Sequence, residues 1–209
     1  MEQLTIKRNS RQIPSSKEIC SNKCYNDILY GYLQMNTEKI ETKDGRILRL
    51  VPKKLTKFTL LADKLKVSRQ TVSKKFKNLY DMNLIVDFNN DYYQLIELNR
   101  NEATLIPSKT LQAMIDTLSE NSISIYVCLL NLYYMNGLKP FTFTLEQLKA
   151  FVGICKSTRS NDEVINNILR VLQKLELIKY SLTAAQQDEY SHIKTIYKLD
   201  YITNELNLD

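Results

Sequence analysis

The sequence predicts an α+β protein that is mainly α-helical, carries small β-hairpins and folds as two successive domains. Apolar residues recur at helical spacing in several segments, and short alternating segments flank polar turn signals, as they do in hairpins. The order helix, strand, helix, turn, helix, hairpin occurs twice along the chain. The 209 residues suffice for two domains of about 100 residues each.

The first half opens with a polar tail over residues 1–14, followed by a helix. Ser15 or Ser16 can cap this helix, which we expect to run to about Met35. Its apolar face comprises Ile19, Ile28, Leu29, Tyr32 and Leu33. The first predicted domain therefore covers residues 15–103.

A hairpin is predicted next. Asp44-Gly45 is typical of a two-residue hairpin turn, because both central positions of such a turn need positive φ. Arg46–Val51 alternates partly, as a half-buried strand does, and Pro52 ends the strand.

Two helices separated by a short turn follow the hairpin. The first has apolar residues at positions i, i+3, i+4 and i+7, namely Phe58, Leu61, Ala62 and Leu65. Ser68 is a good N-cap for the second helix, which begins at Arg69. We expect Val72, Phe76 and Leu79 to face inward, and Asn83 tolerates the left-handed conformation that ends a helix. The strands Leu84–Phe88 and Tyr92–Leu98 then predict a second hairpin around Asn89-Asn90-Asp91.

The second domain is predicted over residues 104–209, with the boundary at about Asn99–Thr104. Its expected helices are Ser108–Leu118, Ser122–Asn136, Leu145–Val152 and Asn161–Leu175. Its expected strands are Phe141–Thr144, Ile178–Leu182 and Ile193–Leu199, the last two forming a hairpin around Thr183–His192. In the last helix we expect Val164, Ile168, Val171 and Leu172 to face inward.

Composition limits the class of protein. No apolar run approaches the roughly 18–20 residues of a membrane span, and the N-terminus lacks the apolar core of a secretory signal. The four cysteines (Cys20, Cys24, Cys128 and Cys155) have no CxxC spacing and are expected to be reduced. These features predict a cytoplasmic protein.

Positive charge is concentrated in one segment. The net charge of the chain is +6, but Lys43–Lys77 alone holds 12 basic and 2 acidic residues, a net of +10. A basic block inside folded sequence is what neutralisation of nucleic-acid phosphates requires. A solvated basic face explains the same charge, and charge alone does not separate the two.

The segment Leu60–Ile85 (LLADKLKVSRQTVSKKFKNLYDMNLI) resembles the winged helix-turn-helix family of bacterial DNA-binding proteins. The matching positions are Leu61-Ala62, Val67-Ser68-Arg69, Thr71-Val72 and Asn83-Leu84-Ile85. Lys66 and Asn83 stand where the family commonly has glycine. The resemblance implies that the helix after Ser68 reads DNA and that the following hairpin is the wing. Because the second half repeats the order of elements, we expect two tandem winged helix-turn-helix domains.

The helix that begins at Arg69 carries the side chains suited to a DNA groove. Arginine and glutamine offer paired hydrogen bonds to guanine and adenine edges, while lysine and serine hold phosphates. The predicted recognition residues are Ser68, Arg69, Gln70, Thr71, Ser73, Lys74 and Lys77. The predicted phosphate and wing contacts are Lys53, Lys54, Lys57, Lys75, Asn89 and Asn90. An ordinary amphipathic helix with a solvated polar face explains the same pattern without DNA.

The second half allows two functions. Its last helix is neutral in charge, with Asp162 and Glu163 against Arg170 and Lys174. Residues that could contact DNA are Lys156, Thr158, Arg159, Ser160, Asn166, Asn167 and Arg170. Dimerisation or binding of a protein partner is the alternative function of this half.

Catalytic and metal sites are not predicted. The single histidine, His192, has no partner arrangement for nucleophilic catalysis, and Cys20 and Cys24 lack a further ligand pair. No glycine-rich phosphate loop is present, which argues against an ATPase. No cofactor is expected.

We expect a non-enzymatic, sequence-specific double-stranded DNA-binding protein. Regulation of transcription in a low-GC bacterium or its mobile element is the leading interpretation. A plasmid or phage replication initiator and a winged-helix adaptor for protein partners are the alternatives. Double-stranded DNA is the expected partner, and a homodimer is compatible with the sequence.

Overall fold

The structure, a computed structural model, describes residues 3–7, 27–97, 103–152, 159–187 and 193–203. In these residues it contains seven α-helices, one 3₁₀ turn and nine strands, and every strand pairing is antiparallel. This mixture agrees with the predicted α+β class. None of the helices in the described ranges is both long enough and apolar enough to span a membrane.

The described chain forms two compact units. Unit 1 comprises residues 3–7 and 27–120, and unit 2 comprises the described residues from Asn121 onward. The predicted boundary at Asn99–Thr104 lies largely outside the described residues, and the contacts divide the chain after Glu120. The strand β1 (Gln3–Lys7), which was expected to be polar tail, pairs with β6 (Ala103–Pro107).

Unit 1 contains four helices around one core. They are α1 (Asp27–Met35), α2 (Phe58–Leu65), α3 (Arg69–Asp81) and α4 (Ser108–Thr117). The predicted start of α1 at Ser15 or Ser16 lies outside the described residues. Helix α4 packs against α1 and α2, which explains why it belongs to unit 1 and not to the second domain predicted from residue 104.

A glycine permits the close approach of α1 to α4. A Cβ atom at Gly31 would lie 2.7 Å from Cδ2 of Leu111, well inside van der Waals contact. Leu29 and Leu33 on α1 and Leu111 on α4 are fully buried. Burial of such side chains supplies most of the free energy that holds the two helices together.

Four strands form the main sheet of unit 1. They are β2 (Glu38–Glu41), β3 (Ile47–Pro52), β4 (Ile85–Asp87) and β5 (Tyr92–Leu95), in the order β2-β3-β5-β4. Between β3 and α2 lies a 3₁₀ turn over Lys53–Thr56. In the register, Leu95 on β5 pairs with both Arg49 and Ile85, so β5 lies between β3 and β4 and joins the hairpin β4–β5 to the hairpin β2–β3.

The hairpin turn between β2 and β3 differs from the prediction. The Thr42 amide donates to the Arg46 carbonyl at 2.8 Å, and the Thr42 hydroxyl also bonds to the Arg46 backbone. The turn therefore has three residues between the bonded pair. Gly45 has φ of +77°, whereas Asp44 is not among the residues with positive φ. The predicted two-residue turn is wrong, since that turn needs positive φ at both positions.

Three helices and three strands form unit 2. The helices are α5 (Glu120–Met135), whose first residue belongs to unit 1, α6 (Leu145–Val152) and α7 (Arg159–Lys174). The strands are β7 (Phe141–Thr144), β8 (Ile178–Gln187) and β9 (Ile193–Ile202), in the order β7-β9-β8.

The bounds of β7 and α6 are those predicted from the sequence, and α6 begins with a reciprocal cap. There the Gln147 amide donates to the Thr144 hydroxyl, and the Thr144 amide donates to Oε1 of Gln147.

Helix α5 is the centre of unit 2. Most of its residues are buried, including Tyr126, which has no exposed surface. Burial raises the pKa of Tyr126, so the hydroxyl stays protonated, and it donates to the carbonyl of Thr203. This bond attaches the segment that follows β9 to the core.

The two units share one order of elements. Each has a strand, two helices and a hairpin, and in each sheet the strand before the helices pairs with the second strand of the hairpin. The buried residues of α7 lie 93 positions after their counterparts on α3. The pairs are Val72 and Ile165, Phe76 and Leu169, and Leu79 and Leu172.

This correspondence corrects the inward face predicted for α7. Val164 and Val171 are 48% and 42% exposed, whereas Ile165 and Leu169 are fully buried. Ile168 and Leu172 are buried as predicted. A shift of one residue rotates a helical face by about 100°, which moves the two valines from the core to the surface.

Helices α3 and α7 also end in the same way. The Leu84 amide donates to the Leu79 carbonyl, and the Leu177 amide donates to the Leu172 carbonyl. The residues before these amides, Asn83 and Glu176, have φ of 55° and 57°. This is the left-handed cap that was expected at Asn83.

We predict that Asn83→Val destabilises unit 1 by about 1–2 kcal/mol, because a β-branched side chain clashes with the backbone in the left-handed region. Asn83→Gly is expected to be close to neutral, since glycine adopts positive φ without strain. The matched control is Asn78→Val on the exposed face of α3, which is expected to cost only tenths of a kcal/mol. Hydrogen exchange of the α3 amides measures the change in stability. Equal losses of stability in Asn83→Val and Asn78→Val would refute the left-handed cap at Asn83.

Candidate nucleic-acid interface

Helices α2 and α3 are joined by a tight turn. Helix α2 ends at Lys66, which has φ of 54°, and the Val67 amide donates to the Ala62 carbonyl at 3.1 Å. Lysine tolerates this left-handed position at a modest cost. The hydroxyl of Ser68 accepts the Thr71 amide at 3.1 Å, which confirms Ser68 as the N-cap of α3. The chain direction therefore changes within three residues between the two helices.

The buried side of α3 fixes its orientation in unit 1. Val72, Phe76 and Leu79 are all buried, as predicted. The ring of Phe76 lies 5.5 Å from that of Phe58 on α2 and 5.4 Å from that of Tyr93 on β5, centroid to centroid. Phe76 therefore connects α3 both to the preceding helix and to the hairpin.

The opposite side of α3 is polar and basic. Its exposed residues include Arg69, Gln70, Ser73, Lys74 and Lys77, all of which were predicted from the sequence. Thr71 is half-buried, and its hydroxyl lies 2.8 Å from that of Ser68. The structure thus brings the predicted recognition residues together at the start and along one side of a single helix.

Six exposed cations on and before α3 form no ion pair among the residues that the structure describes. We call this set the open cations, and its members are Lys54, Lys57, Lys64, Arg69, Lys74 and Lys77. Lys64 was not among the predicted site residues. It lies in the last turn of α2, where only its exposure in the fold marks it as available.

Lys53 and Lys75 differ from the open cations because each has an acidic partner. Lys53 Nζ lies 2.5 Å from Oδ1 of Asp87 and 4.6 Å from the centroid of the Tyr93 ring. Lys75 forms an ion pair with Glu120 at the start of α5. Both were predicted to contact phosphate, and in the structure both are engaged within the protein.

Asp87 attaches the hairpin β4–β5 to the rest of unit 1. It accepts hydrogen bonds from Lys53 and from the Tyr80 hydroxyl, the latter at 2.8 Å. These two bonds lower the pKa of Asp87, so its carboxylate stays ionised to a more acidic pH than a free aspartate does. Because Tyr80 is on α3 and Lys53 follows β3, the hairpin is held against both elements.

The tip of this hairpin contains two exposed asparagines, as predicted. The side-chain oxygen of Asn89 accepts the amides of Asp91 and Tyr92, each at 2.9 Å, and so stabilises the turn itself. Asn90 is exposed beside it. Of the two, Asn90 has the side chain better placed to contact another molecule.

The predicted contacts of the second unit are dispersed. Lys156 and Thr158 lie outside the described residues, and Arg159 and Ser160 are the first two residues of α7. Asn166 is half-buried and accepts a hydrogen bond from the Tyr197 hydroxyl at 2.7 Å. Asn167 and Arg170 are exposed. Among the predicted contacts of this unit whose side chains the structure describes, Asn167 and Arg170 are at the surface.

The fourth and fifth residues of α7 are acidic, unlike the corresponding residues of α3. Counting 93 positions onward, Asp162 and Glu163 occupy the places of Arg69 and Gln70. Asp162 forms an ion pair with the buried Lys149, and Glu163 is exposed. Carboxylates at these places repel phosphate, so the two units differ in electrostatics despite their common order of elements.

The described part of the chain contains no group of three or more His, Cys, Asp or Glu side chains that could hold a metal ion. His192, Cys20, Cys24 and Cys155 lie outside the described residues. Cys128 is buried in α5.

Comparisons with known proteins do not assign the chain to a family. No protein-family model matches the chain, and a search of curated proteins finds no match either. The function is therefore inferred from the residues and their geometry.

Proposed function

We propose that the chain is a sequence-specific double-stranded DNA-binding protein that regulates transcription. In this proposal unit 1 is a winged helix-turn-helix domain, with α3 as recognition helix and β4–β5 as wing. Unit 2 is a second winged-helix domain. The observation that carries the proposal is the exposed side of α3, where Arg69, Lys74 and Lys77 lie opposite the buried residues and form no ion pair within the described chain.

The chemistry of this side matches the two functions of a DNA interface. Arg69 and Gln70 are in the first turn of α3, where groove-reading contacts concentrate in helix-turn-helix proteins. Their side chains form paired hydrogen bonds with guanine and adenine edges, respectively. Lys74 and Lys77, one and two turns further on, are suited to phosphates.

The hairpin supports the same orientation of α3. Its base is attached to α3 through the Tyr80–Asp87 hydrogen bond and through the Phe76–Tyr93 ring contact. A wing held in this way presents the tip with Asn90 as a rigid part of the domain. Lys53 then positions the wing through Asp87, whereas Lys54 and Lys57 supply phosphate contacts.

Selection of genomic fragments tests the proposal directly. Purified protein is incubated with sheared host DNA at near-physiological salt, and the retained fragments are sequenced. Recovery of a few discrete sites is the expected result, and inverted repeats over promoters support regulation of transcription. Arrays of direct repeats would instead indicate a replication initiator. Uniform recovery, or none, would overturn specific DNA binding and favour a protein-interaction adaptor.

A single substitution separates base reading from phosphate contact. We expect Arg69→Ala to relax the sequence preference at one base position by about 1–3 kcal/mol, because a paired hydrogen bond to a base edge is lost. The matched control is Lys54→Ala, which should weaken all duplexes similarly and leave the preference unchanged. Binding to a panel of single-base variants of the selected site measures both effects. An unchanged preference in Arg69→Ala would show that α3 does not read the base edges as proposed.

A further inference from the structure

Helix α7 has an apolar stripe on its solvent-exposed side. Val164, Val171 and Leu175 are 48%, 42% and 39% exposed. Their spacing of i, i+7 and i+11 places them in one line along the helix, because eleven residues complete about three turns. Single exposed apolar residues are common on protein surfaces, but an aligned set next to the core is the pattern of a packing face.

Charged residues lie along one flank of this stripe. Glu163 is near the N-terminal end of α7, and Arg170 and Lys174 are near the C-terminal end. All three are exposed, and they lie on the same side of the stripe because helical residues advance by about 100° each. Asn167 lies between them. Among the residues whose side chains the structure describes, this flank is negative near one end and positive near the other.

We propose that a second copy of the chain covers this stripe, with α7 of one copy packing antiparallel against α7 of the other. The two-fold axis passes near Asn167 and Ile168, which places Val164 of each copy level with Val171 of the other. In such an isologous interface the same surface patch is used twice, so it must be self-complementary.

The charges determine the direction of packing. In antiparallel packing about a two-fold axis, each flank faces the same flank of the other copy. Glu163 then lies within about one helical turn of Arg170 and Lys174 of the second copy, and this occurs twice. Parallel packing about a two-fold axis would place the two charged flanks on opposite sides of the helix pair, where Glu163 meets neither Arg170 nor Lys174 of the other copy. Only the antiparallel direction brings these opposite charges together.

Two carboxylates near the start of α7 distinguish this surface from a second DNA-reading helix. Asp162 and Glu163 stand where α3 has Arg69 and Gln70, and the valines offer no hydrogen bonds to base edges. The inference does not depend on the proposed function, since it concerns unit 2 and is tested without DNA.

Sedimentation equilibrium of the full-length chain under reducing conditions tests the interface. We expect a reversible dimer in the micromolar range, and Val164→Asp is expected to weaken it by more than about tenfold. The control is Leu138→Asp, the same kind of change at an exposed residue of unit 2 outside α7, which should leave dimerisation unchanged. Circular dichroism verifies that both variants fold. A monomeric wild-type chain, or a dimer that resists Val164→Asp, would overturn the proposal.

Charge reversal in two separate proteins tests the antiparallel direction. One protein carries Glu163→Lys, and the other carries Arg170→Glu together with Lys174→Glu. Neither should self-associate, because two copies of the same variant would bring like charges together. An equimolar mixture should form a heterodimer, since Lys at 163 then meets the glutamates and the native Glu163 meets Arg170 and Lys174. Failure of the mixture to associate while wild-type dimerises would exclude the antiparallel arrangement.

Discussion

Replacing Arg69, Lys74 and Lys77 together by alanine is expected to weaken duplex binding about 100-fold at physiological salt. Each lysine or arginine that neutralises a phosphate releases counterions, and this contributes a slope of about −0.9 in a plot of log affinity against log salt concentration. The six open cations of unit 1 therefore predict a slope near −5 for the wild-type protein. Loss of the two phosphate contacts at Lys74 and Lys77 should make the slope shallower by about 2 and lower the affinity roughly fivefold for each contact. Loss of the Arg69 contact to a base edge lowers the affinity by a further factor of about five or more.

Fluorescence anisotropy with a labelled duplex, repeated at several salt concentrations, measures both the affinity and the slope. The control protein carries Lys109→Ala, Lys139→Ala and Lys179→Ala together, which removes three exposed lysines that are not on α3. Both triple variants lower the net charge by the same amount, so a general charge effect would weaken them equally. If the α3 variant binds as tightly as this control, the open cations are not the phosphate contacts.

Local patterns were sufficient to predict the helices α2 and α3. The i, i+3, i+4, i+7 spacing that ends at Leu65, together with the N-cap Ser68, lies within a short segment and requires no distant partner. The exposed side of α3 follows from its buried residues by the geometry of a helix. For these reasons the predicted recognition residues could be located before any tertiary contact was known.

Long-range partners could not be predicted in the same way. The strand β1 pairs with β6 almost one hundred residues later, and nothing in Gln3–Lys7 specifies that partner. Lys53 and Lys75 look like their lysine neighbours in sequence, but Asp87 and Glu120 reach them only in the folded chain. The acidic partner, and not the residue type, separates them from the open cations.

The rotation of α7 about its own axis can be predicted from the sequence only by comparison with α3. Val164 and Ile165 are adjacent β-branched residues, so apolar spacing by itself leaves the phase of the helix ambiguous. Alignment of Leu84-Ile85 with Leu177-Ile178 resolves it, because the same offset brings Val72 onto Ile165 and Leu79 onto Leu172. The exposed valines that carry the proposed dimer contact follow from this phase.

The second large effect is expected for Phe76→Ala, which should destabilise unit 1 by about 3–5 kcal/mol. Phe76 is only 7% exposed, and its ring contacts those of Phe58 and Tyr93. Removal of the ring leaves a cavity between α2, α3 and the hairpin, and the lost contacts add to the lost transfer free energy. The free energy of unfolding of most domains is about 5–15 kcal/mol, so this substitution removes a large part of it.

Urea unfolding followed by hydrogen exchange of α3 and α7 amides measures the effect in each unit. We expect α3 to lose protection while α7 keeps it, because the ring contacts of Phe76 lie within unit 1. Phe88→Ala is the matched control, since that phenylalanine is 45% exposed and its truncation should cost little. DNA affinity should fall in Phe76→Ala even though every proposed contact residue is retained, because α3 is no longer held in one orientation against the hairpin. Undiminished protection of α3 in Phe76→Ala would mean that the ring is not what holds the proposed recognition helix in place.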